Sequence, residues 1–241
     1  SSTEENRFFR GLAATVTPVA SLSAAAWVSR KRRDASDALL SSAADSRRPI
    51  RGFSSGGYHR TPAELARKNA VGERNVGGAL SWERPSWQLG LAALHTRLDR
   101  PLAPDRTGAD RFAPTGRRFT VASLYGDLSR DAVHVFGEVA RSASGTWAGV
   151  GGVSTNSRHA ETLLFVRSYP RTAWSLHGQA LGETSGPPRN EEGVYAGVGL
   201  QVTPHWKVAG YVDAYRFPWL RHGVPRPSSG VDARLVVEHT P

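Results

Sequence analysis

Apolar and polar residues alternate along this chain with the period of two that puts successive side chains on opposite faces of a strand. The clearest stretch runs from Glu191 to Leu220. Val194, Ala196, Val198, Leu200 and Val202 fall on one face, and Gly193, Tyr195, Gly197, Gly199, Gln201 and Thr203 on the other. Thr203-Pro204-His205 turns the chain, because proline has no N–H to offer a ladder. In a second strand Trp206, Val208, Gly210, Val212 and Ala214 oppose Lys207, Ala209, Tyr211, Asp213 and Tyr215.

Both strands are about twice the ~5–6 residues usual in globular proteins. The face opposite the aliphatic one is small, polar, charged or tyrosine-bearing. Strands that cross a bilayer need ~9–11 residues, with lipid-facing and lumen-facing positions alternating. The hairpin therefore predicts a transmembrane β-barrel or part of one. A soluble all-β sandwich or propeller, with the same aliphatic face in a core, is the alternative.

The same alternation predicts strands over residues 8–16, 19–30, 72–83, 87–96, 117–128, 132–142, 145–155, 159–168, 172–184 and 231–237, with a weakly patterned, glycine-rich segment at 52–60. Thr17-Pro18 and Arg84-Pro85-Ser86 read as tight turns, and 31–49, 98–115, 184–191 and 218–230 as loops. Thr61-Pro62-Ala63-Glu64 combines a capping threonine, a proline at the first helical position and a glutamate where a capping box needs it, so one short helix is expected near 62–69. The fold class is all-β: an antiparallel up-and-down meander of about 12–14 long strands. With these boundaries the short turns and long loops do not keep one consistent alternation. Residues 1–241 read as a single β-barrel segment, a fragment of a larger barrel truncated at both ends.

In the strand predicted at 132–142, His134 and Glu138 occupy the polar face; in that at 172–184, His177, Gln179 and Glu183 do so. Together with Tyr195, Gln201, Lys207, Tyr211, Asp213 and Tyr215 they are the candidate lumen-facing residues. Trp82 and Trp87 flank one tight turn and Trp206 follows another. Tryptophan at strand ends is where an interfacial girdle places it.

Composition modifies this picture in three ways. The mean hydropathy of −0.40 is not that of a membrane protein in bulk, but only alternate residues of a barrel strand meet lipid. Nothing approaches the ~18–20 apolar residues of a membrane-spanning helix. The formal charge is +10, with 31 Lys and Arg against 21 Asp and Glu. Lys31, Lys68 and Lys207 are the only lysines, so the basicity is arginine, suited to nucleic acid or to anionic lipid headgroups. With no cysteine there is no disulfide, thiolate metal site or cysteine nucleophile.

Candidate chemistry is sparse. Gly149–Gly152 and Gly197–Leu200 resemble glycine-rich phosphate loops, but they lie inside strand patterns with no helix following. The histidines have no metal-ligand spacing, and His134 and Glu138 are more than ~10 Å apart on an extended strand. No serine and histidine pair with an orienting partner is evident. The expectation is a protein that is not an enzyme and uses no cofactor, with outer-membrane lipid as partner. DNA is a weaker candidate partner, met by Tyr58-His59-Arg60 with Arg67-Lys68 around the short helix.

Several segments carry a family resemblance: SSTEENRFFRGLAATV from Ser1, GGYHRTPAEL from Gly56, ALHTRLDRPL at 93–102, FGEVARS at 136–142, RNEEGVYAG at 189–197 and DAYRFPWLR at 213–221. The most specific are Asn190-Glu191-Glu192-Gly193-Val194-Tyr195 and Phe217-Pro218-Trp219-Leu220. Over nearly its whole length the chain resembles the β-barrel region of helix-hairpin-helix domain-containing outer-membrane proteins of Gram-negative bacteria, of the competence DNA-binding type. The resemblance implies an outer-membrane location and a channel or transport scaffold, and more weakly a link to DNA uptake or binding. It brings no catalytic residues. Gly149-Val150-Gly151 lies in a strand pattern, so the helix-hairpin-helix module itself is missing here. The final VVEHTP also lacks the aromatic residue that usually ends such a barrel.

Overall fold

A computed structural model of the chain describes residues 8–37, 48–54, 58–184 and 186–240. The segment 1–7 that opens the family resemblance, most of the polar loop (38–47) and 55–57 of the glycine-rich segment lie outside the described residues.

The architecture is all-β. The strands are β1 (Gly11–Val19), β2 (Leu22–Arg33), β3 (Ala35–Asp37), β4 (Ile50–Phe53), β5 (Val71–Arg84), β6 (Trp87–Leu102), β7 (Gly116–Arg130), β8 (Val133–Arg141), β9 (Trp147–Asn156), β10 (Ala160–Tyr169), β11 (Glu191–Thr203), β12 (Trp206–Phe217) and β13 (Ser228–His239). They form one 13-stranded sheet whose path of hydrogen-bonded neighbours is β1-β2-β5-β6-β7-β8-β9-β10-β11-β12-β13. The small β3/β4 hairpin sits off this path, and β4 meets β6 through the single parallel pair Ile50 and Leu102. The helix α1 (Pro62–Arg67) starts as the sequence predicts. Thr61 Oγ1 accepts the Glu64 N–H at 3.2 Å, and the Glu64 carboxylate accepts the Thr61 and Arg60 N–H groups at 3.2 and 2.8 Å.

Four expectations are corrected. Residues 172–184 form no strand; they belong to a long connection between β10 and β11 whose backbone is held by Glu191 and Tyr169. His177, Gln179 and Glu183 are therefore loop residues, not members of a strand face. The described residues of segment 52–60 contribute only the end of β4. The first turn lies after Val19, not at Thr17-Pro18, because a register irregularity between Val16 and Val19 accommodates the proline inside β1. Finally, β6 continues to Leu102, well beyond residue 96, because Thr96, Leu98, Arg100 and Leu102 keep alternating onto the buried face.

With these boundaries the connections alternate without exception. Short turns at 20–21, 85–86, 131–132, 157–159 and 204–205 alternate with longer connections at 34–70, 103–115, 142–146, 170–190 and 218–227. Strands of an antiparallel meander thus have a short-turn end and a long-loop end.

The chain divides into two compact units, Ser1–Leu80 with Ala92–Val121 and Ser81–Leu91 with Ala122–Pro241. In the first, Ile50, Val71, Leu98, Leu102 and Phe119 are buried together with polar Glu73, Asn75 and Thr96. The polar groups satisfy one another: Thr96 Oγ1 donates to Asn75 Oδ1 at 2.6 Å, and Asn75 Nδ2 to Glu73 Oε1 at 2.7 Å.

In the second unit register places the apolar residues in rows that cross the strands. Leu128, Val135, Val153, Leu164, Ala196, Val212 and Ala233 form one row from β7 to β13. Gly126, Gly137, Gly151, Val166, Val194, Ala214 and Val231 form the next. These rows are on the exposed face: Val194 and Val212 are each 48% accessible, and Leu235 on β13 is 74% accessible. The charged residues Arg167, Glu191 and Asp213 lie on the buried face. This is the reverse of a soluble sheet, in which water contacts the polar side and the aliphatic side packs.

Candidate functional site

The polar face of β10, β11 and β12 is built from the inward half of each strand's alternation. On β10, Phe165, Arg167 and Tyr169 are buried while the alternate residues Leu164, Val166 and Ser168 are exposed. Arg167 lies opposite Gly193 of β11, which lies opposite Tyr215 of β12. A Cβ on Gly193 would come within 2.5 Å of Arg167 Cζ, so glycine here makes room for the guanidinium to cross its strand. Arg167 then donates from Nε to Glu191 Oε1 at 2.7 Å and from Nη1 to Asp213 Oδ1 at 2.9 Å. The Arg167 and Glu191 side chains are wholly inaccessible, so this three-membered ion cluster replaces an apolar core.

Glu191 has a second task. Its carboxylate accepts the Glu183 N–H at 2.9 Å, the Thr184 N–H at 3.2 Å and the Thr184 hydroxyl at 3.0 Å. The Tyr169 hydroxyl donates to the Leu181 carbonyl at 3.3 Å. The 170–190 connection is thereby drawn over the polar face of its own strands. Trp174 and Ala173 are buried, and Thr172 joins the hydroxyls of Thr146 and Ser144 from the β8/β9 connection. This anchoring is why 172–184 is not a strand. Its backbone donors are spent on side chains and on local turns, such as the Ala180 N–H to the Gly186 carbonyl.

Beyond the ion cluster the same face carries an aromatic ladder. Phe165, Tyr195 and Tyr211 stack with centroid separations of 5.0 and 5.4 Å, and the Tyr211 hydroxyl donates to Asp232 at 2.8 Å. An open cavity of about 530 Å³ adjoins it, lined by Tyr195, Tyr211, Lys207, Glu161, Asn156 and Arg234 among others. It contains cations, anions and neutral hydrogen-bonding groups, as a wall facing water would.

The residues singled out from sequence divide accordingly. Tyr195, Lys207, Tyr211, Asp213 and Tyr215 share the polar face, with Asp213 buried. His134 lies on the same alternation of β8, stacked on Phe136 and hydrogen-bonded to Ser129 at 2.8 Å. Glu138 is exposed, and Gln201 closes the β11/β12 turn through its bond to the Thr203 carbonyl at 2.8 Å. His177, Gln179 and Glu183 belong to the anchored loop. Trp82 and Trp87 touch edge to face at 5.2 Å, and Trp206 lies 4.5 Å from His239, all at short-turn ends.

Two of the segments quoted for the resemblance, Asn190–Tyr195 and Phe217–Leu220, meet in the structure. Asn190, at φ 54°, accepts the Trp219 N–H at 2.7 Å and donates to the Trp219 carbonyl at 3.0 Å. Glu191 and Gly193 serve Arg167. Phe217 is buried, with Arg221 stacked 3.8 Å from its ring, and Pro218 leads into Trp219.

Arg167 was missed by the sequence reading, although a visible signal existed. It is an arginine that directly follows the apolar run Leu163–Val166, on the face opposite Leu164 and Val166. Around α1, Arg60 is engaged by Glu64 at 3.5 Å and by the Tyr58 ring at 4.2 Å, and His59 by Asp34 at 2.6 Å. Arg67 and Lys68 are exposed. Among the described residues no group of three or more His, Asp or Glu could hold a metal ion, and no helix is long and apolar enough to cross a membrane. Comparison with protein-family models and with curated proteins found no match.

Proposed function

We propose that this chain is wall and lumen of an outer-membrane β-barrel that acts as a channel or transport scaffold, without catalytic chemistry. The observation that carries the proposal is the inverted sheet, with rows of aliphatic side chains and glycine on the accessible face and paired charges buried on the other. Soluble monomers rarely expose contiguous apolar patches beyond a few hundred Å². From Val194 to Val202 the exposed stripe of β11 runs about 26 Å along the strand at ~3.3 Å per residue, close to the ~25 Å apolar band of membrane barrels. The strict alternation of short turns with longer connections fits periplasmic turns and extracellular loops. In that orientation Trp82, Trp87 and Trp206 meet the periplasmic interface.

The lumen is the face that holds Tyr195, Lys207, Tyr211 and Asp213, narrowed by the 170–190 loop that Glu191 anchors. The test is refolding of the full chain into phosphatidylcholine vesicles. Insertion is read by flotation and heat-dependent gel mobility, and transport by planar-bilayer conductance. Val212→Arg should impair insertion, at a cost of ~2–4 kcal/mol for arginine at mid-bilayer. A chain that stays soluble and monomeric with its aliphatic rows accessible to water overturns the proposal.

A further inference from the structure

The exposed face of the first unit changes character along each strand. On β2, Ala26 and Val28 are followed by Arg30 and Arg32; on β5, Val76 is preceded by Arg74; on β6, Ala93 is followed by His95 and Arg97. All these residues except the intervening histidine go from aliphatic to guanidinium within one or two same-face steps, about 7 Å each. The change comes towards the long-loop ends of the strands. There Arg30, Arg32, Arg74, Arg97 and Arg117 line one pocket of about 490 Å³ together with Asp99.

Of the two acids at this pocket one is ion-paired, and the other, Asp99, holds a backbone N–H and keeps its charge. Asp99 accepts the Gly72 N–H at 2.8 Å, and Glu73 is held by Arg33 at 2.9 Å and Lys31 at 3.6 Å. Among the described residues Arg30, Arg74, Arg97 and Arg117 make no ion pair. Among the described residues five guanidinium groups thus face one unpaired carboxylate, Asp99, around this hollow, an excess of positive charge that matches phosphate, which accepts paired N–H donors on more than one oxygen.

We infer that this pocket binds the phosphate group of an anionic lipid headgroup in the leaflet at the long-loop side. The inference rests on the barrel reading, since it requires the aliphatic residues next to the pocket to meet acyl chains. Charge complementarity specifies the headgroup, and adjoining Val28 and Val76 specify that the phosphate belongs to a lipid. A monoester phosphate is favoured over a zwitterionic headgroup because it brings no cation of its own into a cluster of arginines.

The experiment places the full chain in phosphatidylcholine nanodiscs containing a minor fraction of phosphatidic acid and reads retained lipid by native mass spectrometry. Phosphatidic acid should be enriched over its bulk fraction, and Arg74→Gln/Arg97→Gln should lower that enrichment about tenfold or more, as expected for loss of charge-assisted hydrogen bonds. Arg67→Gln/Lys68→Gln, which removes the same charge from α1, should leave it unchanged. An equal loss in both variants, or equal retention of the two lipids by an inserted chain, overturns the inference while the barrel reading stands. A chain that never inserts overturns both. Binding of inorganic pyrophosphate by the lipid-free chain in detergent as tightly as phosphatidic acid would overturn the assignment to lipid.

Discussion

The two units solve one problem with opposite charges. In the first, a buried acid, Glu73, sits between two cations, Arg33 at 2.9 Å and Lys31 at 3.6 Å. In the second, a buried cation, Arg167, sits between two acids, Glu191 and Asp213 at 2.7 and 2.9 Å. Each cluster lies on the face opposite the aliphatic one, and each lies near the long-loop end of its strands, where side chains also hold irregular backbone. Lys31 donates to the Phe8 carbonyl and Arg100 to the carbonyls of Arg48 and Ala70, whereas Glu191 receives N–H groups from the 170–190 loop. In both units cations bind stray carbonyls and carboxylates bind stray N–H groups, as Asp34 and Asp99 do for Asn69 and Gly72 in the first.

The strongest way to break the comparison is Arg167→Met. It leaves two buried carboxylates facing each other without a counterion, and should cost about 3–5 kcal/mol in a urea titration of the folded chain. Glu73→Gln should cost less, about 1–3 kcal/mol, because the Arg33 side chain keeps 16% of its surface accessible and can turn to water, while the buried Lys31 keeps its bond to the Phe8 carbonyl. Equal losses in the two variants would remove the distinction drawn between the clusters.

Glu191→Gln sharpens the contrast between holding a sheet and holding a loop. The amide retains one acceptor oxygen for the Glu183 and Thr184 N–H groups but weakens the pairing with Arg167. Protease susceptibility of 170–190 and single-channel conductance should both rise in the variant; unchanged values would show that the loop is held by other contacts. Asn190→Ala, which removes the clamp on Trp219, should cost about 1–2 kcal/mol and increase cleavage near 218–227 with no change in conductance.

The smallest effect belongs to α1, which neither cluster supports. The Glu64 carboxyl is held below its ordinary value, chiefly by the Arg60 backbone N–H, with further help from the Arg60 side chain and the Thr61 N–H. Its folded-state value is depressed, so the contribution to the helix is present above the unfolded value of about 4.3 and is lost as pH falls through the folded one. The protection factors of the Glu64 and Leu65 amides, corrected for the intrinsic exchange rate at each pH, should fall on acidification in the native chain and stay flat in Glu64→Gln.

Much of the architecture was legible in the sequence, for specific reasons. The strict alternation in Val194–Val202 and Trp206–Ala214 divides each strand into the two faces seen in the structure. Thr61, Pro62 and Glu64 encode the helix start through contacts at most a few residues apart. The boundaries that failed depend on distant partners. Pro18 sits inside β1 because β2 absorbs the irregularity, and 172–184 alternates like a strand yet is captured by Glu191, Tyr169 and Thr146.

What the amino-acid sequence determined alone was therefore local: strand periodicity, the content of each face, turn positions set by Arg84-Pro85-Ser86 and Thr203-Pro204-His205, and the capped helix. Tertiary structure decided which face would be buried. Periodicity sorts residues into two sets but does not choose between them; that choice depends on whether an opposing partner exists for each face. Here the charges found theirs, Arg167 reaching Asp213 across 46 residues of chain, while the aliphatic rows remain exposed.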